Sequence, residues 1–414
     1  MDSDLIERRE DPASIYEAGR RFLRFPRRCP PARNRFSPPT GNGWIGALAI
    51  AMLLGSVGCG TPEQYDWPLP EGYPLPEVPA DNPMTRAKVE LGRHLFYDTR
   101  LSGNGEQACA SCHRPEYAFS EPRPRAVGST GELNRRNALA LVNVAYNSTL
   151  MWAHPGLRRI ERQLLIPMFG EAPVELGIAG REDEVLARFR RDERYRQLFG
   201  DAFPGEGRLE FTHIVHALAC FVRSLLSFES PFDRYAYGGD DAALNEAAIR
   251  GIGLFFSERF ECHHCHTGFN FTESTDHESS AMLDNPFHNT GLYNVAGDNA
   301  YPAEDQGLYD LTGDPADRGR FRAPTLRNVA LTAPYMHDGS LPDLNAVLDF
   351  YAAGGRDIED GEHAGDGRAN AYKSQFVKGI DMTERERTEM LAFLNALTDP
   401  SFVDRAEHRN PFAE

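Results

Sequence analysis

The chain of 414 residues is long enough for two to three domains of about 100–200 residues, so it can bury a core without a disulfide scaffold. Apolar residues make up 41% and charged residues 25%, and no apolar run reaches the ~20 residues of a membrane-spanning helix, which excludes a polytopic membrane protein. A formal charge of −17 repels phosphate backbones, which excludes nucleic acid and favours a neutral or basic partner.

Residues 1–43 are rich in Arg and Pro and lead into an apolar stretch, 44–57, that ends in Ser56-Val57-Gly58-Cys59. A basic region, an apolar region and small residues in this order read as an export signal over 1–58. The cysteine directly after it matches a lipoprotein-type signal with a lipid on Cys59. Ser56 stands where Leu is usual, so an ordinary cleaved signal or an uncleaved anchor also fits. Each version puts the mature chain outside the cytoplasm, periplasmic and in the first case tethered to the membrane. Closely spaced prolines prevent helix and sheet, so 59–83 reads as an extended tether.

Two segments with apolar residues at helical spacing resemble each other, KVELGRHLF at 88–96 and AIRGIGLFF at 248–256, and their glycines allow close approach of a helix or a cofactor. Each precedes a Cys-x-x-Cys-His motif: CASCH at 109–113 and CHHCH at 262–266. In an exported protein this spacing reads as covalent attachment of haem c. Cys109 and Cys112, then Cys262 and Cys265, form thioethers to haem vinyls, and His113 and His266 ligate the two irons. A zinc site or a redox dithiol leaves the His after both motifs without a purpose. With Cys29 and Cys59 set aside, Cys220 remains, a buried thiol within a helical pattern. Helices are also predicted over 182–199, 212–227 and 383–397, the last opened by Thr383 and Glu386 as a capping box. Strand signals are few, so the fold class is all-α: two cytochrome-c-like domains, 84–240 and 241–400, with long loops, little β and a tail at 401–414.

Five blocks in order carry a family resemblance: CASCH, the stretch from Arg136-Asn137 to Met151-Trp152, Pro173-Val174-Glu175, CHHCH, and APTLRNVALTAPYMHDGS at 323–340. Over nearly the whole mature chain the sequence resembles the bacterial di-haem cytochrome c peroxidases and MauG, and within them the MbnH-type di-haem enzymes. The peroxidases commonly cap the first iron with a His about sixteen residues past the first haem His. This chain has Arg125-Ala126-Val127-Gly128-Ser129 there, so the resemblance implies a first haem held by His113 alone and open to peroxide. It also implies Glu175 as the distal proton shuttle, with Gln163 and Pro167 shaping the pocket, although two extra residues separate Pro167 from Glu175.

Where the peroxidases place a Met on the second iron, this chain has Tyr351, as MauG-like enzymes do. A phenolate favours oxidised iron, whereas a thioether favours Fe(II). Met336 is a rival ligand held in a tight segment. His337 is expected at a haem propionate, and His263 and His264 facing solvent. Trp152 is implied as the electron conduit between the haems, and calcium as bound by the Asn137 side chain and the carbonyls of Thr332 and Pro334.

The implied function is a peroxide-dependent di-haem oxidase that builds a shared high-valent (bis-Fe(IV)-type) state and oxidises a partner protein side chain, Trp to kynurenine on a copper-binding partner. The alternatives are a cytochrome c peroxidase fed by a small basic cytochrome and a plain electron-transfer protein. MauG has a surface Trp two residues before its second haem motif and this chain has Phe260, so the exit route to a protein substrate differs. The acidic stretch 357–366 reads as a solvated loop or a docking face.

Overall fold

The computed structural model describes residues 63–278 and 286–413. The export signal, Cys29 and Cys59 lie outside the described residues. Secondary structure is mostly helical with little sheet. Helix α1 (Arg86–Tyr97) starts at Thr85, whose hydroxyl accepts from the Lys88 amide, and turns Leu91, Leu95 and Phe96 inward. After α2 (Ile160–Gln163) and α3 (Leu165–Phe169), the predicted helix over 182–199 is two helices, α4 (Glu182–Arg191) and α5 (Glu193–Ala202). The break falls at Asp192, which is extended and caps α5 by accepting from the Arg194 and Tyr195 amides. Helix α6 (Phe211–Arg223) stops short of residue 227, and α7 (Pro231–Ala236) and α8 (Glu246–Phe255) follow.

The second half adds α9 (Tyr309–Thr312), α10 (Leu344–Ala353), α11 (Glu384–Ala396) and α12 (Pro400–Asp404). Thr383 and Glu386 form the predicted capping box at α11. Two short antiparallel pairs complete the fold. Strand β1 (Phe287–Asn289) pairs with β2 (Arg320–Arg322), and β3 (Asp357–Ile358) with β4 (Gly365–Asp366). The stretch 357–366, expected as a loop or docking face, is this second ribbon, and Arg368 pairs with both Asp357 and Asp366.

The repeat detected in sequence marks two equivalent helix crossings. α1 lies on α6 and α8 on α11. A Cβ on Gly92 would fall 2.0 Å from the Ala217 carbonyl oxygen, and one on Gly251 would fall 2.1 Å from that of Glu389. The glycines therefore serve helix-to-helix contact. Around the first crossing a core gathers Phe96, Phe119, Phe189 and Phe221, and around the second one gathers Phe255, Phe271 and Phe393.

The expectation of an extended tether is corrected over its described part, and the tail is placed. Of the Pro-rich tether, residues 63–83 form a strap: Tyr73 packs on Phe228, Tyr237 and Phe269, and buried Asn82 donates to Glu161. Burial of Trp67, Leu69 and Tyr73 outweighs the freedom of a loose linker. The tail at 401–414 returns to the first core through Phe402, and Tyr97 donates to the His408 carbonyl. The block 323–340 is fixed by fully buried Arg327, which forms a bidentate pair with Asp233 (2.8 and 2.9 Å) and donates to the Phe269 carbonyl just past the second Cys-x-x-Cys-His motif.

Candidate functional site

The second Cys-x-x-Cys-His motif opens on a mostly apolar cavity of about 1740 Å³, counting its open mouth, lined among others by Cys262, Cys265, His266, Trp152, His337 and Tyr351. The His266 Nδ1 faces the carbonyls of Phe271 (3.2 Å) and Pro324 (3.1 Å). Carbonyls only accept, so Nδ1 carries the proton and Nε2 keeps the lone pair a metal needs. Burial pushes His266 down to about 4, holding it neutral, and pushes the Cys262 thiol up to about 12.

Arg322 lines the same cavity and is 3% exposed. Its Nε donates to the Met151 carbonyl, it has no acidic partner among the described residues, and burial drives it down to about 10. A buried cation without a counter-charge is costly, and a haem propionate satisfies it. A haem thus fits the cavity on three counts: thiols, an oriented His and an unpaired cation. Sequence reasoning missed Arg322. Its signal was a basic residue just before the Ala-Pro-Thr of the 323–340 block.

At the first motif, His113 Nδ1 donates to the Phe119 carbonyl at 2.9 Å, and the Leu139 carbonyl also faces the ring. Burial lowers its pKa as it does for His266. Burial likewise pushes the Cys109 and Cys112 thiols up to about 12, with the neighbouring Glu175 carboxylate adding to both. Glu175 is therefore near the first Cys-x-x-Cys-His motif. Its own carboxyl is raised by burial, against an opposing hydrogen bond from the Asn134 side chain. The loop without histidine is tied to it: the Ser129 amide donates to the Glu175 carbonyl at 2.8 Å. Pro167, in α3, accepts from the Leu176 amide at 2.9 Å, which places it next to Glu175. Gln163 ends α2 and its amide points at the Met151 sulfur, 4.0 Å away, adjoining Trp152.

Trp152 and Asn137 join the two regions. The indole Nε1–H donates to the Asn137 carbonyl at 2.8 Å, and the Asn137 amide donates to the His337 carbonyl at 2.7 Å. Asn137 lies two residues from Leu139, which faces His113, while Trp152 lines the second cavity. Asn137, Thr332 and Pro334 also line that cavity. The Asn137 Nδ2 donates to the Arg123 and Pro124 carbonyls, turning Oδ1 away from them.

His337 is buried, pushed down to about 4 by that burial, and stacked on Phe321 at 3.6 Å. Arg136, paired with Asp305, covers the same Phe321 ring. Tyr351 projects from α10 into the cavity, where burial raises its phenol. Met336 lines it too, from a left-handed backbone position (φ 72°).

Three further features went unseen in the sequence or differ from its reading. Tyr301 lines the second cavity and donates to Asn289 Oδ1 at 2.9 Å. His288 lines it as well and is ion-paired with Glu273. His263 and His264, expected to face solvent, have side chains only 13% and 29% exposed, because the loop of the second Cys-x-x-Cys-His motif folds them onto Phe256 and Phe376.

A family profile described as di-haem cytochrome c peroxidase matches residues 86–242. The chain is 35% identical to the methylamine utilization protein MauG of Methylorubrum extorquens over 79% of this chain and 82% of that one. It is 34% identical to the cytochrome-c peroxidase IdrP1 of Denitromonas iodatirespirans, over 86% and 94%. Among solved structures, a MauG-like protein associated with microbial copper homeostasis superposes with a TM-score of 0.82 at 48% identity, covering 84% of this chain and all of that one.

Proposed function

The chain belongs to the di-haem cytochrome c peroxidase and MauG family of peroxide-dependent di-haem oxidoreductases, and from that premise we propose that it uses hydrogen peroxide to oxidise a side chain of a partner protein. The oxidised group is a tryptophan, converted to kynurenine on a copper-binding partner. A copper-binding partner is suggested by the 48% identity to a MauG-like protein associated with microbial copper homeostasis. The observation that carries the reading is Tyr351 in the second cavity, a phenol in place of the thioether that suits electron uptake from a carrier.

Two covalent haems supply the iron that binds peroxide and stores its oxidising equivalents. Cys109 and Cys112 anchor one, Cys262 and Cys265 the other, and His113 and His266 present Nε2 to the irons. Glu175, whose carboxyl is raised by burial, takes the proton from one peroxide oxygen and returns it to the departing one. Gln163 and Pro167 shape the space around that step. The Trp152 indole would be the conduit between the two sites, and Tyr351 would offer its phenol to the second iron, a donor that favours the oxidised metal. Arg322 and His337 neutralise and pack the haem edge. Asn137, Thr332 and Pro334 would hold a calcium ion, which would brace the segments between the two sites.

We read the two cores as two cytochrome-c-like domains, 84–240 and 241–400. Residues 1–58 export the protein to the periplasm and Cys59 carries a lipid; no helix among the described residues is long and apolar enough to cross a membrane.

Electron paramagnetic resonance on the fully ferric holoprotein, before and after one equivalent of peroxide without a donor, tests the reading. One high-spin and one low-spin signal that vanish together and return slowly support it. Two low-spin haems that ignore peroxide until one is reduced establish instead a cytochrome c peroxidase fed by a small cytochrome, which the charge of −17 also suits.

A further inference from the structure

We propose that the attachment loop of the second haem carries, on its outer side, a site for a divalent transition-metal cation formed by Glu258, His263 and His264, with Glu261 as fourth donor. The donor atoms of Glu258, His263 and His264 all lie within 4.8 Å of one another. The Nε2 of His263 is 3.8 Å from one Glu258 oxygen, and the Nε2 of His264 is 3.7 Å from the other and 2.7 Å from Glu261 Oε2. One ion with bonds of about 2.0–2.2 Å closes such gaps by small side-chain rotations.

Two observations separate this cluster from an ordinary surface ion pair. First, His264 Nε2 and Glu261 Oε2 pair with each other at 2.7 Å away from solvent, with no further partner for either atom among the described residues. Buried donors with unused lone pairs are where a cation binds without first displacing other hydrogen bonds. Second, the donors are already held. The His264 ring stacks on Phe376 (4.0 Å, 11°) and beside His263 (4.2 Å), and Lys378 binds the other Glu261 oxygen at 2.5 Å, leaving Oε2 inward. Glu258, 83% exposed, is free to close over the ion from outside.

Two imidazoles with two carboxylates select zinc(II) or copper(II) over the hard cations calcium and magnesium. Lys378 offsets one of the two glutamate charges, so a dication is not over-neutralised. His263 and His264 are the two residues inside the Cys-x-x-Cys-His motif and are not needed for thioether formation, so the site is separate from the iron ligands.

The test titrates copper(II) into the holoprotein with both haems in place, cleared of transition metals in calcium-containing buffer. One equivalent binds, with a copper resonance showing coupling to two nitrogens, and zinc(II) displaces it. Replacing His263 and His264 by Ala removes that signal while keeping two haems. Copper uptake by the wild type no tighter than by this variant overturns the proposal. If the double variant fails to mature, Glu258→Gln decides: it keeps both haems and weakens copper binding at least about tenfold. Unchanged affinity in that variant overturns the site.

Discussion

The indole Nε1–H of Trp152 donates to the main-chain carbonyl of Asn137, and the Asn137 amide in turn donates to the carbonyl of His337. A side chain that lines the second cavity is thereby bonded to a segment whose Leu139 faces His113. The juxtaposition is specific because an indole has one donor and no acceptor, so its ring plane is fixed by that bond.

Trp152→Phe removes the donor and leaves the Asn137 carbonyl unpaired, which costs about 1–3 kcal/mol. Haem content stays at two per chain. Rapid-mixing spectroscopy with one equivalent of peroxide then shows the first haem reacting at its normal rate while the second responds late. Simultaneous response of both haems in the variant rejects Trp152 as the conduit.

Arg322 is a buried cation whose side chain donates to a neutral carbonyl, that of Met151, and has no acidic partner among the described residues. In Arg322→Met the positive charge near the second haem is gone, so the oxidised form gains relative to the reduced one. The second-haem reduction potential falls while the first is unmoved. Spectroelectrochemistry resolves the two. Equal potentials in variant and wild type mean that Arg322 does not face the propionates.

Burial places the Glu175 carboxyl above its ordinary range, so it is protonated over a window of pH where a solvated glutamate is already ionised. As a proton acceptor it works only when ionised, so the rate of the peroxide reaction rises with pH through that raised value. For stability the sign is opposite: the contribution is full below the unfolded-state value and is lost as pH rises through the folded one. Glu175→Gln flattens the acid limb of the rate profile and slows the reaction by about 10²-fold or more. A variant that keeps the limb assigns it to another group.

The helix crossings make a steric prediction whose sign is set by magnitude. Replacing Gly by Ala in an open helix position gains up to about 1 kcal/mol, and Gly200 in α5, with nothing within 4 Å of an added Cβ, is such a place. At Gly251 the added carbon meets the Glu389 carbonyl, and overpacking of about 1–3 kcal/mol outweighs that gain. Gly251→Ala therefore lowers the thermal midpoint of the holoprotein, whereas Gly200→Ala raises or preserves it. Equal midpoints in the two variants contradict the close approach of α8 and α11.

Periodic apolar residues made α1, α6, α8 and α11 legible, as did Thr383 with Glu386 at a helix start. The break at Asp192 was not, because a single capping carboxylate inside an otherwise helical pattern looks like any surface aspartate. The strap at 63–83 read as a tether because prolines announce irregular backbone but not where its aromatic residues pack. At the site, spacing alone drew attention to both Cys-x-x-Cys-His motifs. Arg322, His288 and Tyr301 escaped because their meaning comes from a shared cavity that residues distant in sequence line together.

Tyr351 offers the sharpest comparison between the two enzyme classes. Burial raises its phenol, so the phenolate forms only where a strong positive centre replaces the proton, and ferric iron does this better than ferrous. Tyr351→Met substitutes a neutral thioether that favours the reduced state. The second haem then rises in potential, takes electrons from a reduced small cytochrome, and the protein gains peroxidase turnover while losing the ability to hold both oxidising equivalents. Tyr351→Phe removes any ligand at that position and exposes the rival: a thioether-type spectrum in this variant shows Met336 moving onto the iron. If neither substitution shifts the second-haem potential, Tyr351 only packs in the cavity, and the reading that rests on it fails.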